Sequence, residues 1–148
     1  EIIIFDDYAH HPTEIKATLS SVKSAYKGRR IIAIFQPHRY SRTELLLNYF
    51  KDAFKDVDNL IITDIYAAGE NAISGISGET IYDIVKNGNI KAKYIQNIED
   101  IIPELDKMKK DGDIILTLGA GNISRIGNEY AKKLSNDWNK NWLTFTTY

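Results

Sequence analysis

Short apolar runs rich in isoleucine alternate along this chain with segments whose apolar residues recur every three or four positions. Runs bounded by glycine, proline and polar clusters predict buried strands, and the segments between them predict amphipathic helices. The first run, residues 2–8 (IIIFDDY), leads at Pro12 into a helix that carries Leu19 and Val22 and stops at Gly28. Strand-like residues 30–36 (RIIAIFQ) precede a helix over 43–54, in which Leu46, Tyr49, Phe50 and Phe54 fall at core spacing. A third strand at 60–64 is followed by a long loop, 65–77, containing Gly69, Gly75 and Ser77, and then by a helix over 80–86 that stops at Gly88. Residues 92–96 read as a short fourth strand, 103–110 as a helix ending at Gly112, and 113–118 (DIILTL) as a fifth strand. That strand runs through Gly119-Ala120-Gly121-Asn122 into a helix reaching Leu134.

Repeated strand–helix units predict an α/β fold, a mostly parallel sheet of five or six strands with helices on both faces. The sixth strand would come from the extension at 135–148, where Trp138, Trp142, Phe145 and Tyr148 crowd a short stretch. An added edge strand is the favoured reading of WLTFTTY, and an irregular terminus packing its aromatics on the body is the alternative.

With 148 residues, 43% of them hydrophobic, the chain has the length of one domain with a sizeable core. It opens at Glu1 inside a strand, which suggests a domain cut from a longer protein. Lysine plus arginine total 19 against 20 acids, so a net charge of -1 gives no global reason to bind nucleic acid or an anionic membrane. Anion binding has to be local. The absence of cysteine excludes disulfides and thiolate metal sites and is compatible with a reducing compartment. No apolar run nears the roughly 20 residues of a membrane span and nothing at the start reads as a signal peptide, so a soluble chain is expected.

In an open parallel sheet, ligands bind beyond the carboxyl ends of the strands. All 3 histidines fall there: His10 and His11 after the first strand, in DDYAHHPTE, and His38 after the second, in FQPHRYSRT. The second loop adds Arg39 and Arg42, whose guanidiniums suit forked recognition of carboxylate or phosphate. Tyr66 and Glu70 follow the third strand, and GAGN follows the fifth. Each feature has a bland alternative. Asp6 and Asp7 also suit simple solvation of a strand end, and His11, before Pro12, reads as a helix-entry residue. Arg39 and Arg42 also read as exposed cations ahead of a helix beginning near Thr43. GAGN lacks the full GxGxxG spacing, and glycines at a tight turn need no ligand. Taken together, the loops predict an anion-favouring cleft, while no GxxxxGK[ST] phosphate loop is present.

DDYAHHPTEI, FQPHRYSRT, DIYAAGE followed by ISG, and LTLGAGNI occur in that order. In this arrangement residues 1–134 resemble the C-terminal domain of the Mur ligases, FQPHRYSRT being characteristic of their alanine-adding branch. The resemblance implies a Rossmann-like, doubly wound domain of a cytoplasmic, three-domain enzyme of peptidoglycan synthesis, without its UDP-sugar and ATPase domains. It implies a ligase that uses ATP and magnesium to phosphorylate the lactyl carboxylate of UDP-N-acetylmuramate, after which the amine of L-alanine attacks the acyl phosphate. Both ATP and magnesium would be held mainly by the missing central domain, and the isolated domain would be inactive. By motif match, Asp7 would meet the ribose of ATP, with Tyr8 beside it. The catalytic set would be His10, His38, Arg39 and Arg42, with His38 and the two arginines holding the alanine carboxylate. Tyr66 and Glu70 would be further substrate-binding walls.

Two rivals stand beside that reading. A metal-dependent hydrolase would use Asp6, Asp7, His10 and His38 as ligands, although adjacent strand-end residues point to opposite faces and converge with difficulty. A small-anion-binding α/β module without catalysis is the other.

Overall fold

The isoleucine-rich runs form the strands. The computed structural model describes residues 1–137 and 143–146, with backbone alone for 137 and 143–146. Strands β1 (Ile3–Asp7), β2 (Ile31–Phe35), β3 (Asn59–Ile62), β4 (Lys91–Tyr94), β5 (Ile114–Leu118) and β6 (Leu143–Thr146) make one sheet, in the order β4-β3-β2-β5-β1-β6. Every pairing is parallel, and β5 lies between β1 and β2, with Phe5 opposite Leu116 and Phe35 opposite Leu118. The connecting helices are α1 (Pro12–Ala25), α2 (Tyr40–Leu46), α3 (Gly78–Val85), α4 (Ile101–Met108) and α5 (Ser124–Asp137).

Strand side chains alternate between the two faces. Ile3, Ala33, Phe35 and Leu116 pack with Ile15 and Leu19 of α1, with Phe50 and with Ile81 of α3. Ile4, Ile32, Ile34 and Ile115 pack on the other side with Leu105 of α4 and with Ile126 and Tyr130 of α5. Each of these isoleucine, leucine and phenylalanine side chains, taken fully out of water, contributes about 1.5–3 kcal/mol. The sheet is therefore doubly wound, as the alternation predicts. It also follows that the chain leaves β5 toward the face opposite to the one taken after β1 and β2. The direction of the chain thus reverses on each side of the carboxyl end of β5, the kind of position at which such sheets bind ligands.

At the opposite end of the sheet, Asp113 is buried, and Arg30 grips it with Nε donating to Oδ1 at 2.9 Å and Nη2 to Oδ2 at 2.6 Å. The same Nη2 donates to the Met108 carbonyl, and Lys110 N donates to Asp113, so the starts of β2 and β5 are tied together.

The second helix departs from its expected bounds. It begins at Tyr40 rather than Thr43 and passes after Leu46 into a 3-10 segment, Leu47–Asp52. The tighter winding of about three residues per turn rotates the segment relative to an α-helix. Phe50 and Phe54 are buried as the spacing predicts, but Tyr49 is 68% exposed. In the aromatic extension, Leu143–Thr146 pairs in parallel with β1, whereas Trp138, Trp142 and Tyr148 lie outside the described residues.

Candidate functional site

At the end of β1 the two aspartates divide between the faces of the sheet, as strand alternation requires. Asp6 lies on the α5 side, where Thr117 Oγ1 donates to its Oδ1 at 2.5 Å. Burial pushes its carboxyl above the usual range, against the Thr117 hydrogen bond and with the help of the Asp7 charge. Asp7 turns toward α1, accepting from Ala9 N at 2.8 Å and from Thr18 Oγ1 at 3.0 Å. Each of its oxygens keeps a second lone pair for a further donor.

Beyond Asp7 the chain carries Tyr8, 61% exposed, and His10. His10 Nδ1 lies 3.0 Å from the Tyr8 carbonyl oxygen. A carbonyl only accepts, so Nδ1 carries the hydrogen and the neutral ring presents Nε2 as an acceptor. His11 serves α1 instead. Its Nδ1 accepts from Thr13 N, while its own N–H donates to Glu14, a reciprocal cap on the helix.

The loop after β2 supplies the facing half. Arg42 Nη1 lies 3.0 Å from His38 Nδ1. Arginine only donates, so the hydrogen of neutral His38 sits on Nε2, the reverse of His10. The two rings are 5.8 Å apart between centroids, and His38 stacks on Tyr66 at 5.7 Å and 13°. Burial lowers the His38 pKa below 6.5, and the Arg42, His10 and Arg39 charges lower it further against an opposing effect of Glu70. At neutral pH the ring is uncharged. Arg29, Arg30 and Arg125 each pair with a carboxylate, whereas Arg39 and Arg42 have no such ion pair among the described residues. Among the described residues the nearby carboxylate is that of Glu70, which feels the Arg39 charge without forming an ion pair with it.

Arg39 has φ 71, a left-handed conformation that costs a side-chain-bearing residue on the order of 1–3 kcal/mol. The loop after β3 holds it there. Tyr66 N donates to the Pro37 carbonyl, and Arg39 N donates to the Tyr66 carbonyl, both at 2.9 Å. Glu70, expected as a substrate wall, also makes a structural contact. Its Oε2 accepts from Ser41 N at 3.1 Å and its Oε1 from Ser41 Oγ at 2.5 Å, so it caps the first turn of α2. This cap comes from far along the chain, which is why local sequence places the start of the helix too late.

The GAGN turn fills the space between the two loops. A Cβ on Gly121 would lie 2.6 Å from both Gln36 Oε1 and Tyr66 Cγ, so glycine lets the turn press against the ring that carries His38. Buried Gln36 anchors it, donating through Nε2 to Asn122 Oδ1 at 2.7 Å and accepting from Ile123 N at 3.2 Å. Sequence reasoning missed Gln36 as a positioning residue. Its signal was a polar residue closing an otherwise apolar strand immediately before Pro37. Tyr8, His10, His38, Arg42 and Tyr66 thus come together across the end of β5. The four ligands of the hydrolase reading do not, and among the described residues no group of three His, Asp or Glu could hold a metal ion.

The family model described as Mur ligase, glutamate ligase domain, matches residues 1–121. The chain belongs to the Mur ligase family. The UDP-N-acetylmuramate–L-alanine ligase of Brachyspira hyodysenteriae is 73% identical over 136 residues, which are 92% of this chain and 29% of that protein. The protein of the same name from Sulfurihydrogenibium is 47% identical over 135 residues, covering 91% of this chain and 30% of its own length. This Mur ligase chain accordingly spans about three-tenths of the length of the curated relatives it matches, and corresponds to their C-terminal part. The solved UDP-N-acetylmuramate–alanine ligase of Thermotoga maritima superposes with a TM-score of 0.71 at 27% identity, over 93% of this chain and 27% of that one. A murein peptide ligase from Psychrobacter arcticus shares the fold, with a TM-score of 0.70 at 24% identity over 91% of this chain and 28% of its own. Among the described residues of this Mur ligase domain, no helix is long and apolar enough to cross a membrane.

Proposed function

We propose that this domain presents the amino acid in a cytoplasmic, ATP-dependent ligase that joins L-alanine to UDP-N-acetylmuramate in peptidoglycan synthesis. The observation that carries the reading is the rim itself: two arginines in no carboxylate ion pair among the described residues, beside two facing histidines of opposite tautomer. An amino acid brings a carboxylate and an ammonium. Arg39 and Arg42 suit the carboxylate, each charge-assisted hydrogen bond being worth about 1.5–3 kcal/mol, and Tyr66 walls the same side. His10 Nε2 suits the proton that the ammonium must lose before it becomes a nucleophile. His38 Nε2–H suits an anionic oxygen near the reacting carbon.

In this scheme the amine nitrogen bonds to the carbonyl carbon of the activated lactyl group, the carbon–oxygen bond to phosphate breaks, and phosphate leaves with the electron pair. ATP supplies the activating phosphoryl group and is held mainly by the remainder of the parent protein, while Asp7, with its spare lone pairs, and exposed Tyr8 would meet the ribose. The described residues offer no ligand set for magnesium, so no step is assigned to magnesium in this domain. The domain's gain is positional, bringing amine and activated carboxyl into attack geometry when it closes on the rest of the enzyme.

The test is made on the full-length parent. ATP hydrolysis that requires both L-alanine and UDP-N-acetylmuramate is expected, with none from this chain alone. Hydrolysis indifferent to L-alanine overturns the reading.

A further inference from the structure

The loop that carries Arg39 and Arg42 is not self-supporting. Helix α2 has no capping side chain of its own at Arg39. Among the described residues, the non-glycine residues with positive φ are Arg39 and Ala68, one on each of the two loops that meet here. Ala68 and Gly69, both left-handed, fold the second loop back so that Glu70 points at the start of α2. Strained backbone of this kind persists only where its surroundings over-determine it. The surroundings are the paired backbone bonds between Pro37, Arg39 and Tyr66 and the two hydrogen bonds from Ser41 to Glu70.

We infer that Glu70 is a positioning residue for amino-acid binding: it clamps Ser41, and through it the Arg39–Arg42 turn, in the geometry that receives the carboxylate, without touching the substrate. The inference rests on the ligase reading above and adds the device that holds its anion site. Glu70 and Ser41 are separated by 29 positions in the chain. The clamp therefore fixes the loop after β2 to the loop after β3, and with it the Tyr66 ring on which His38 stacks. Ser41 needs no contact with any ligand for its loss to be felt, and this separates the clamp from a direct binding role.

In the full-length parent, Glu70→Ala is expected to raise the KM for L-alanine about three- to tenfold and Ser41→Ala to raise it less, since the Ser41 N–H still reaches Glu70, and both leave the KM for ATP unchanged. The double variant should be no worse than Glu70→Ala alone, because Glu70→Ala already removes both hydrogen bonds and Ser41→Ala only the one from Oγ. Glu70→Gln, which keeps one acceptor oxygen, should recover part of the loss. A raised KM in Glu70→Ala without faster amide exchange at Ser41, whose N–H donates to Glu70, means direct contact of Glu70 with substrate and overturns the clamp, as does a normal KM in Glu70→Ala. If the unmodified parent ignores L-alanine, the ligase reading fails by itself. The clamp is then read from amide exchange in this chain, where Glu70→Ala should speed exchange at Ser41 and an unchanged rate overturns it.

Discussion

Arg42 donates through Nη1 to His38 Nδ1 at 3.0 Å, which keeps His38 neutral with its hydrogen on Nε2. Protonating His38 would place a second hydrogen opposite a guanidinium that has nothing to accept it. Burial, Arg42, His10 and Arg39 all push the pKa in the same direction, below 6.5. Just below that value the folded chain binds fewer protons than the unfolded chain. Stability from this group is therefore complete above pH 6.5 and falls as pH drops from there through the folded value. An NMR titration of the His38 ring should give a midpoint below 6.5, and Arg42→Met should move it upward. A midpoint at or above the ordinary value would contradict the hydrogen-bond assignment.

Replacing Arg42 by alanine in the parent enzyme should raise the KM for L-alanine roughly ten- to a hundredfold, the equivalent of about 1.5–3 kcal/mol for one charge-assisted bond. Arg39→Ala should act in the same direction but less strongly, because its side chain is more exposed to screening solvent. Steady-state kinetics with ATP varied separately should show its KM unchanged.

Arg30 tests the far end of the sheet, away from any ligand. Arg30→Ala leaves the buried Asp113 carboxylate without its bidentate partner. Removing one partner of a buried pair costs about 3–5 kcal/mol, read as a lower midpoint in urea unfolding. Arg30→Ala with Asp113→Asn should restore much of it, since the orphaned charge is gone.

Gly78 is a second structural test. A Cβ there would stand 2.1 Å from the Thr63 carbonyl oxygen, a backbone atom that cannot step aside. Gly78→Ala should destabilise the chain by about 1–3 kcal/mol or more, the range for overpacking a tight contact, while Gly88→Ala, with only a 3.3 Å neighbour, should cost less. Thermal melts of the two variants give the comparison directly.

The order of strands and helices was legible in the residues themselves, because burial on a parallel sheet imposes continuous apolar runs and packing against it imposes a helical period. Ile31, Ile32, Ala33, Ile34 and Phe35 are all buried, as an uninterrupted run predicts. His10, His38 and Arg42 could be assigned to strand-end loops on the same grounds. Their meeting could not be read locally, since β1 and β2 are not neighbours and β5 enters between them from far along the sequence. The same limit hid the early start of α2, whose cap is Glu70, and the position of Tyr49, which the 3-10 winding turns outward. Periodicity is a property of consecutive residues and fixes which face each one shows; which loops share a rim, which histidine nitrogen holds the hydrogen and which acid caps which helix depend on contacts between distant segments, and those exist only once the sheet has closed.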